Sequence, residues 1–193
     1  ENEMKEKTIK EYKRRLRLIL KSKLNGKNKT TAINTWAVAI FRYGAGVIDW
    51  KDSELKRIDR KSRKMMTIYG ALHPKSDVNR LYVKRKEGGR GMSSVEQVVR
   101  EEENSLGYYV LNSQETLIKG VCVSGTIITE GTIPTKEYKK QKSEELKQKW
   151  MEKKMYGQFI RERSEKVDMD KTWYWLSRSD LKIETEALLC AAQ

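Results

Sequence analysis

One histidine, His73, and two cysteines far apart, Cys122 and Cys190, limit the chemistry open to this 193-residue chain. Three such side chains cannot supply the four ligands of a structural zinc site. His73 precedes Pro74 in a turn-like stretch, with no reactive Ser or Cys motif beside it to make it a general base. Cys122 lies in a weakly apolar run and Cys190 on an apolar helix face, settings in which a thiol packs rather than attacks. No pair of acids stands out on an apolar strand, the arrangement that holds two divalent ions. Asp168 and Asp170 alternate in a polar stretch and read as a helix cap and its neighbour. The residues therefore predict no catalytic centre, no metal and no cofactor in this chain.

What they do offer is cations at helical spacing. Arg57, Lys61 and Lys64 recur at i, i+4 and i+7, with Lys56, Arg60 and Arg63 as a second row beside them. Lys84, Arg85, Lys86 and Arg90 surround Gly88, Gly89 and Gly91, where backbone without side chains would let N–H groups and guanidinium forks reach the same phosphate oxygens. A nucleotide-binding P-loop is rejected, because no strand, Gly-Lys-Ser/Thr loop and helix follow one another there. Arg14 and Arg15 lie on a polar helix face with Lys10, Lys13, Arg17 and Lys21; being adjacent, the two arginines are expected to diverge. The counter-charge that suits these groups is phosphate. The alternative is a solvated helix face with snorkelling Lys and Arg.

The net charge is +14, with a sequence pI near 9.7. Residues 1–30 carry +7 and 31–91 carry +8, whereas 92–135 carry −4, 136–166 carry +5 and 167–193 carry −2. Two adjoining segments of one sign cost self-repulsion that a polyanion relieves. Leu, Ile, Val and Phe make up about 21% of the chain, close to the compositional edge of disorder, but five Trp, nine Tyr and seven Met favour a folded, aromatic-rich core. No apolar stretch approaches the roughly 18 residues of a bilayer-spanning helix. With no basic-then-apolar leader, an intracellular, reducing setting is expected. The start at Glu1 and the helical pattern broken off at Ala191-Ala192-Gln193 read as a piece of something longer.

The elements that must position these cations are helical. Ile9, Tyr12, Leu16, Ile19 and Leu20 predict a helix over 3–24, ended by Asn25-Gly26. Thr30 or Thr31 would cap a second helix with Ile33, Trp36, Ala37, Ile40 and Phe41 inward. A third would run from Asp52 to Tyr69, with Leu55, Ile58, Ser62, Met65, Met66 and Tyr69 inward and Gly70 as terminator. A short helix over 77–82 capped by Ser76 would follow. Next comes a helix from Ser93 or Ser94 to about Asn112, with Val95, Val98, Val99, Leu106, Tyr109 and Val110 buried and Glu101-Glu102-Glu103 outside. Residues 121–128 are a strand or a loop. A long charged helix over about 135–166, a short aromatic helix around Trp173–Leu176 capped by Asp170, and a helix from Leu181 complete an all-α chain. The expected division is a basic three-helix bundle over 1–72 and a helical linker region over 73–193.

Several blocks in order resemble the polyproteins of non-long-terminal-repeat (LINE-type) retrotransposons, in the part following the reverse-transcriptase palm. They are Glu11-Tyr12-Lys13-Arg14-Arg15 with Ser22-Lys23-Leu24-Asn25, Ala32-Ile33-Asn34-Thr35-Trp36-Ala37, Tyr43-Gly44-Ala45-Gly46-Val47-Ile48-Asp49-Trp50, and Leu55 with Asp59-Arg60-Lys61-Ser62-Arg63-Lys64. Then come His73-Pro74-Lys75-Ser76-Asp77-Val78, Arg80-Leu81-Tyr82 and Arg85-Lys86-Glu87-Gly88-Gly89-Arg90-Gly91. Trp175-Leu176, Leu181-Lys182, Glu184-Thr185-Glu186 and Ala191-Ala192-Gln193 are similar to the stretch leading to a zinc knuckle and, in one branch, an endonuclease.

The resemblance implies a thumb that grips a template–primer duplex of RNA and DNA, followed by a linker to the zinc knuckle. It also implies palm and zinc-knuckle/endonuclease domains as neighbours and a nuclear location for the parent polyprotein. Neither the palm's paired aspartates nor the knuckle's Cys and His ligands are present. RNA-directed DNA polymerase and endonuclease activity, and the divalent metal they use, therefore belong to other parts of such a polyprotein. The expected contact residues are Arg14, Arg15, Arg57, Lys61, Lys64, Lys84, Arg85, Lys86 and Arg90, with Lys61, Lys64, Arg85 and Arg90 converging on one furrow for a phosphodiester backbone. The alternatives are a protein-interaction segment docking through the 135–166 helix and Trp173–Trp175, and a truncated relic without activity of its own.

Overall fold

In helix α1 (Asn2–Lys21), Tyr12, Leu16, Ile19 and Leu20 fall on one stripe and are buried. The computed structural model describes residues 1–123 and 130–193, and every regular element among them is helical, so the fold is all-α. Asn25 does not stop α1 but starts the next helix: its side chain accepts the Asn28 N–H at 2.8 Å as the N-cap of α2 (Gly26–Ala32). α2 runs through a π turn (Ile33–Ala37) into α3 (Ala39–Gly44). In that turn the Val38 N–H reaches back five residues to the Ile33 carbonyl at 2.8 Å. The wider turn brings Ala37 and Val38 both to the core and swings Trp36 outward, correcting the inward placement that regular spacing predicts.

α4 (Asp52–Ile68) crosses α1 and α6, buries Leu55, Ile58, Ser62 and Met66, and ends where Gly70 takes φ +68°. Its Ser62 hydroxyl meets the Tyr12 hydroxyl at 2.9 Å. Tyr12, Phe41 and Trp50 form an edge-to-face chain with centroids 5.2 and 5.5 Å apart at the centre of the first core. That core continues past residue 72 through Leu81, Met92, Val95, Val98 and Val99, and takes in Ile183.

α5 (Val78–Tyr82) is capped by Asp77 rather than Ser76, and a single 3-10 turn (Arg85–Glu87) follows it. α6 (Val95–Asn112) is capped by Ser94. Its acidic run is not wholly outside, since Glu101 is buried and pairs with Lys139 at 2.6 Å, while Tyr109 is exposed. α7 (Thr116–Val123) occupies the start of the segment read as strand or loop; the remainder of that segment lies outside the described residues.

α8 spans Thr135–Met151, and the helix expected to continue to 166 ends there. The chain folds back so tightly that a Cβ on Gly157 would stand 2.2 Å from the Met151 carbonyl oxygen. Arg161 donates to the carbonyls of Met151, Lys153 (2.6 Å) and Lys154 (2.8 Å), fastening the reversal to the helix end. This reversal brings Trp150 and, from α9 (Gln158–Arg161), Ile160 into a second core with Val83, Trp173, Leu176 and Cys190. α10 (Met169–Thr172) is capped by Asp168, the aromatic helix α11 (Tyr174–Arg178) starts at Trp173 rather than from an Asp170 cap, and α12 (Ile183–Ala192) completes the chain. Among the described residues no helix is long and apolar enough to cross a membrane.

Candidate nucleic-acid interface

The expected furrow divides into two unlike groups of cations. Arg57, Lys61 and Lys64 are exposed on the outer side of α4, because Leu55, Ile58 and Ser62 hold the opposite side in the core. α1 packs alongside and contributes Lys13, whose amine has its pKa lowered by partial burial and then by the nearby charges of Lys61 and Arg57. Cations on two packed helices are therefore within electrostatic reach of one another. Among the described residues, none of Lys13, Arg57, Lys61 and Lys64 is ion-paired with a carboxylate. Lys10 and Arg17 stand at i−3 and i+4 from Lys13, on its flank of α1, and both are exposed.

In the other row of α4, Arg60 is exposed and only Arg63 and Lys56 reach toward neighbouring helices. Arg63 donates to the Tyr82 hydroxyl at 2.9 Å, and Lys56 sits 3.8 Å from Glu96. Between these two, Asp59 is buried and accepts the Val95 and Glu96 N–H groups at 2.8 and 3.1 Å, fastening α6 to α4. Burial pushes its carboxyl up to about 6, against the pull of those two backbone donors.

Arg14 and Arg15 share one acceptor and then part. Both donate to Glu11, Arg14 through Nε and Nη2 at 2.7 Å and Arg15 through Nε at 2.8 Å. Arg14 remains exposed, while Arg15 turns over Trp36.

Arg85 and Arg90 are corrections. Arg85 forks onto Glu186 of α12 at 2.8 and 2.9 Å and also donates to Thr30 Oγ1 and the Leu176 carbonyl. Arg90, 2% exposed, donates to Glu186 at 2.8 Å and to the Ala71 carbonyl. Neither guanidinium is presented to a ligand. The glycines beside them serve packing: a Cβ on Gly88 would stand 2.6 Å from the Trp173 ring, and one on Gly89 would stand 2.1 Å from the Val83 carbonyl oxygen. Lys84, just before the 3-10 turn, and Lys86 on it stay exposed, and the turn packs against α10 and α11 rather than α1 or α4.

Sequence reasoning missed Arg80, which is 4% exposed and stacked between Trp150 and Trp173 with centroids 5.1 and 5.5 Å away. It donates to the carbonyls of Gly88 and Cys190 and to the Gln193 side chain. Trp173 is thus enclosed in the second core, which removes half of the aromatic pair expected to dock a partner. His73 Nδ1 accepts the Lys75 N–H at 3.2 Å within its turn, and burial pushes the Cys190 thiol up. Among the described residues no group of three His, Cys, Asp or Glu side chains is placed to hold a metal ion. Comparison with protein-family models, curated proteins and solved structures finds no match for the chain.

Proposed function

We propose that this chain is a non-catalytic nucleic-acid-binding segment of a retrotransposon-type reverse transcriptase polyprotein, gripping a template–primer duplex through its phosphate backbone. The observation that carries this reading is that Lys13 of α1 feels the charges of Arg57 and Lys61 on the packed α4, none of the three being ion-paired with a carboxylate among the described residues. Like charges so placed repel in the free protein and are relieved when a polyanion lies across them. Lys64, exposed on the same side of α4, extends the face, and Arg14, which is paired with Glu11, and Arg85 and Arg90 are not part of it. The contacts are to charge and not to base edges, so binding is insensitive to sequence and weakens with salt, by about 0.9 in log K per log unit of salt for each phosphate neutralised.

The test is a titration of a labelled RNA–DNA hybrid at several salt concentrations, comparing the native chain with Arg57→Glu/Lys61→Glu. A steep salt slope that becomes shallower in the double variant supports the reading. A flat slope, or equal slopes in both proteins, refutes it.

A further inference from the structure

Trp36 is held in a way that its partial exposure alone does not explain. Regular helical spacing would turn it inward with Ile33 and Ala37, yet the π turn presents it at the surface, 40% exposed. π turns are rare and cluster at functional positions. The outward indole is then fixed by α1. The Arg15 guanidinium carbon lies 5.2 Å from the ring centroid, and its Nη1 donates to the Trp36 carbonyl at 2.9 Å. Arg15 is itself anchored on Glu11, which also takes both bonds from Arg14. Hydrogen bonding from Arg14 first and Arg15 second holds the Glu11 carboxyl down at about 2, so the clamp keeps its charge at neutral pH. The result is an immobilised aromatic ring with a cation stacked on it, beside two guanidiniums that share one carboxylate.

An aromatic surface bordered by cations suits an unpaired nucleotide, whose base stacks while its phosphate meets the charge. A continuous duplex offers no free base face. We propose that Trp36 is a stacking platform for an unpaired nucleobase, with Arg15 and Arg14 beside the adjoining phosphate. The proposal rests on the nucleic-acid reading above and adds the kind of nucleotide contacted.

The experiment compares a blunt RNA–DNA hybrid with the same hybrid carrying a few unpaired nucleotides, using fluorescence anisotropy and the full chain. The native protein is expected to favour the extended hybrid. Trp36→Ala is expected to remove about tenfold of affinity for that hybrid, within the roughly 1–3 kcal/mol of a base–aromatic stack, and to leave the blunt hybrid unchanged. Trp36→Phe keeps a ring and retains most of the preference. A photoreactive 5-iodouracil in the extension should cross-link to Trp36 of the native chain, a readout that needs no variant to fold. Equal affinity of the native chain for both hybrids, equal weakening of both by Trp36→Ala, or cross-links only at other residues overturns the proposal. So does a Trp36→Ala protein that keeps its nucleic-acid affinities and loses association with another polypeptide instead. Because the result is a difference between two hybrids, it is separable from the phosphate-face reading, which Arg57→Glu/Lys61→Glu tests on the blunt hybrid alone.

Discussion

Glu186 shows what a single side chain can decide. It is 2% exposed and accepts three hydrogen bonds from Arg85 and Arg90, guanidiniums that arrive about a hundred residues earlier in the chain. Glu186→Gln would leave two largely buried guanidiniums without their counter-charge, a change that typically costs about 3–5 kcal/mol. Set against a total stability of roughly 5–15 kcal/mol, that is a large fraction. Chemical denaturation should show the loss, while Glu184→Gln, an exposed neighbour, should stay within about 0.5 kcal/mol of the native chain. A denaturation midpoint for Glu186→Gln equal to that of Glu184→Gln would remove the structural role assigned here. The same contact explains why Arg85 and Arg90 were illegible as structural residues. Local sequence shows a glycine-rich basic turn, and nothing in it reveals a carboxylate on a distant helix. Arg57, Lys61 and Lys64 were legible because their position is set by their own helix, whose apolar stripe fixes which side is wet.

Elements follow the same division between local and distant causes. α1, α4 and α6 lie where the hydrophobic period predicts them, since each is long enough for its stripe to determine its orientation, and α6 also keeps the expected Ser94 cap. α8 is shorter than its composition suggests, because its end is imposed by Gly157 and Arg161 folding back over the Met151 carbonyl. Gly157→Ala should therefore lower the melting temperature clearly, as the added carbon meets backbone that cannot move aside. Gly120→Ala, in a helix with open space at that carbon, should leave it unchanged or raise it, by up to about 1 kcal/mol in stability. If Gly157→Ala melts like the native chain, the tight reversal is not what ends α8.

The junction of α4 and α6 carries a pH signature. Asp59 titrates near 6 in the fold against 3.8 ordinarily, so between those values the folded chain holds a proton that the unfolded chain has released. Stability from this group thus falls as pH rises from about 4 to 6 and is level above, with a span on the order of 3 kcal/mol. The Glu11 contribution has the opposite sign and lies lower: its carboxyl is depressed to about 2, so stability is lost as pH falls from 4.5 toward that value. Subtracting the Asp59→Asn stability profile from the native one isolates the upper window. A difference that does not change between pH 4 and 6 would exclude Asp59 as its source.

For the molecule as a whole, the charges that the proposed binding would use oppose folding. The chain carries +14, and on the face between α1 and α4 Lys13 feels the charges of Lys61 and Arg57, none of them ion-paired among the described residues. A residue kept for stability loses stability when neutralised. A residue kept for a polyanion should behave in reverse, since removing it relieves like-charge repulsion in the free protein. Lys61→Gln should accordingly leave the melting temperature unchanged or slightly raised, by a gain of about 0.2–0.5 kcal/mol, the scale of a like-charge pair on a helix surface. The same substitution should weaken hybrid binding and reduce its salt slope by about one phosphate contact. Added salt should move the native chain the same two ways, screening the repulsion that opposes folding and weakening the complex. Melting by circular dichroism and binding by anisotropy, measured on one preparation at matched salt, read both effects. A Lys61→Gln protein that is destabilised and still binds like the native chain would make this face a structural one, and would leave Lys13, Arg57 and Lys61 without the anionic partner that their crowding calls for.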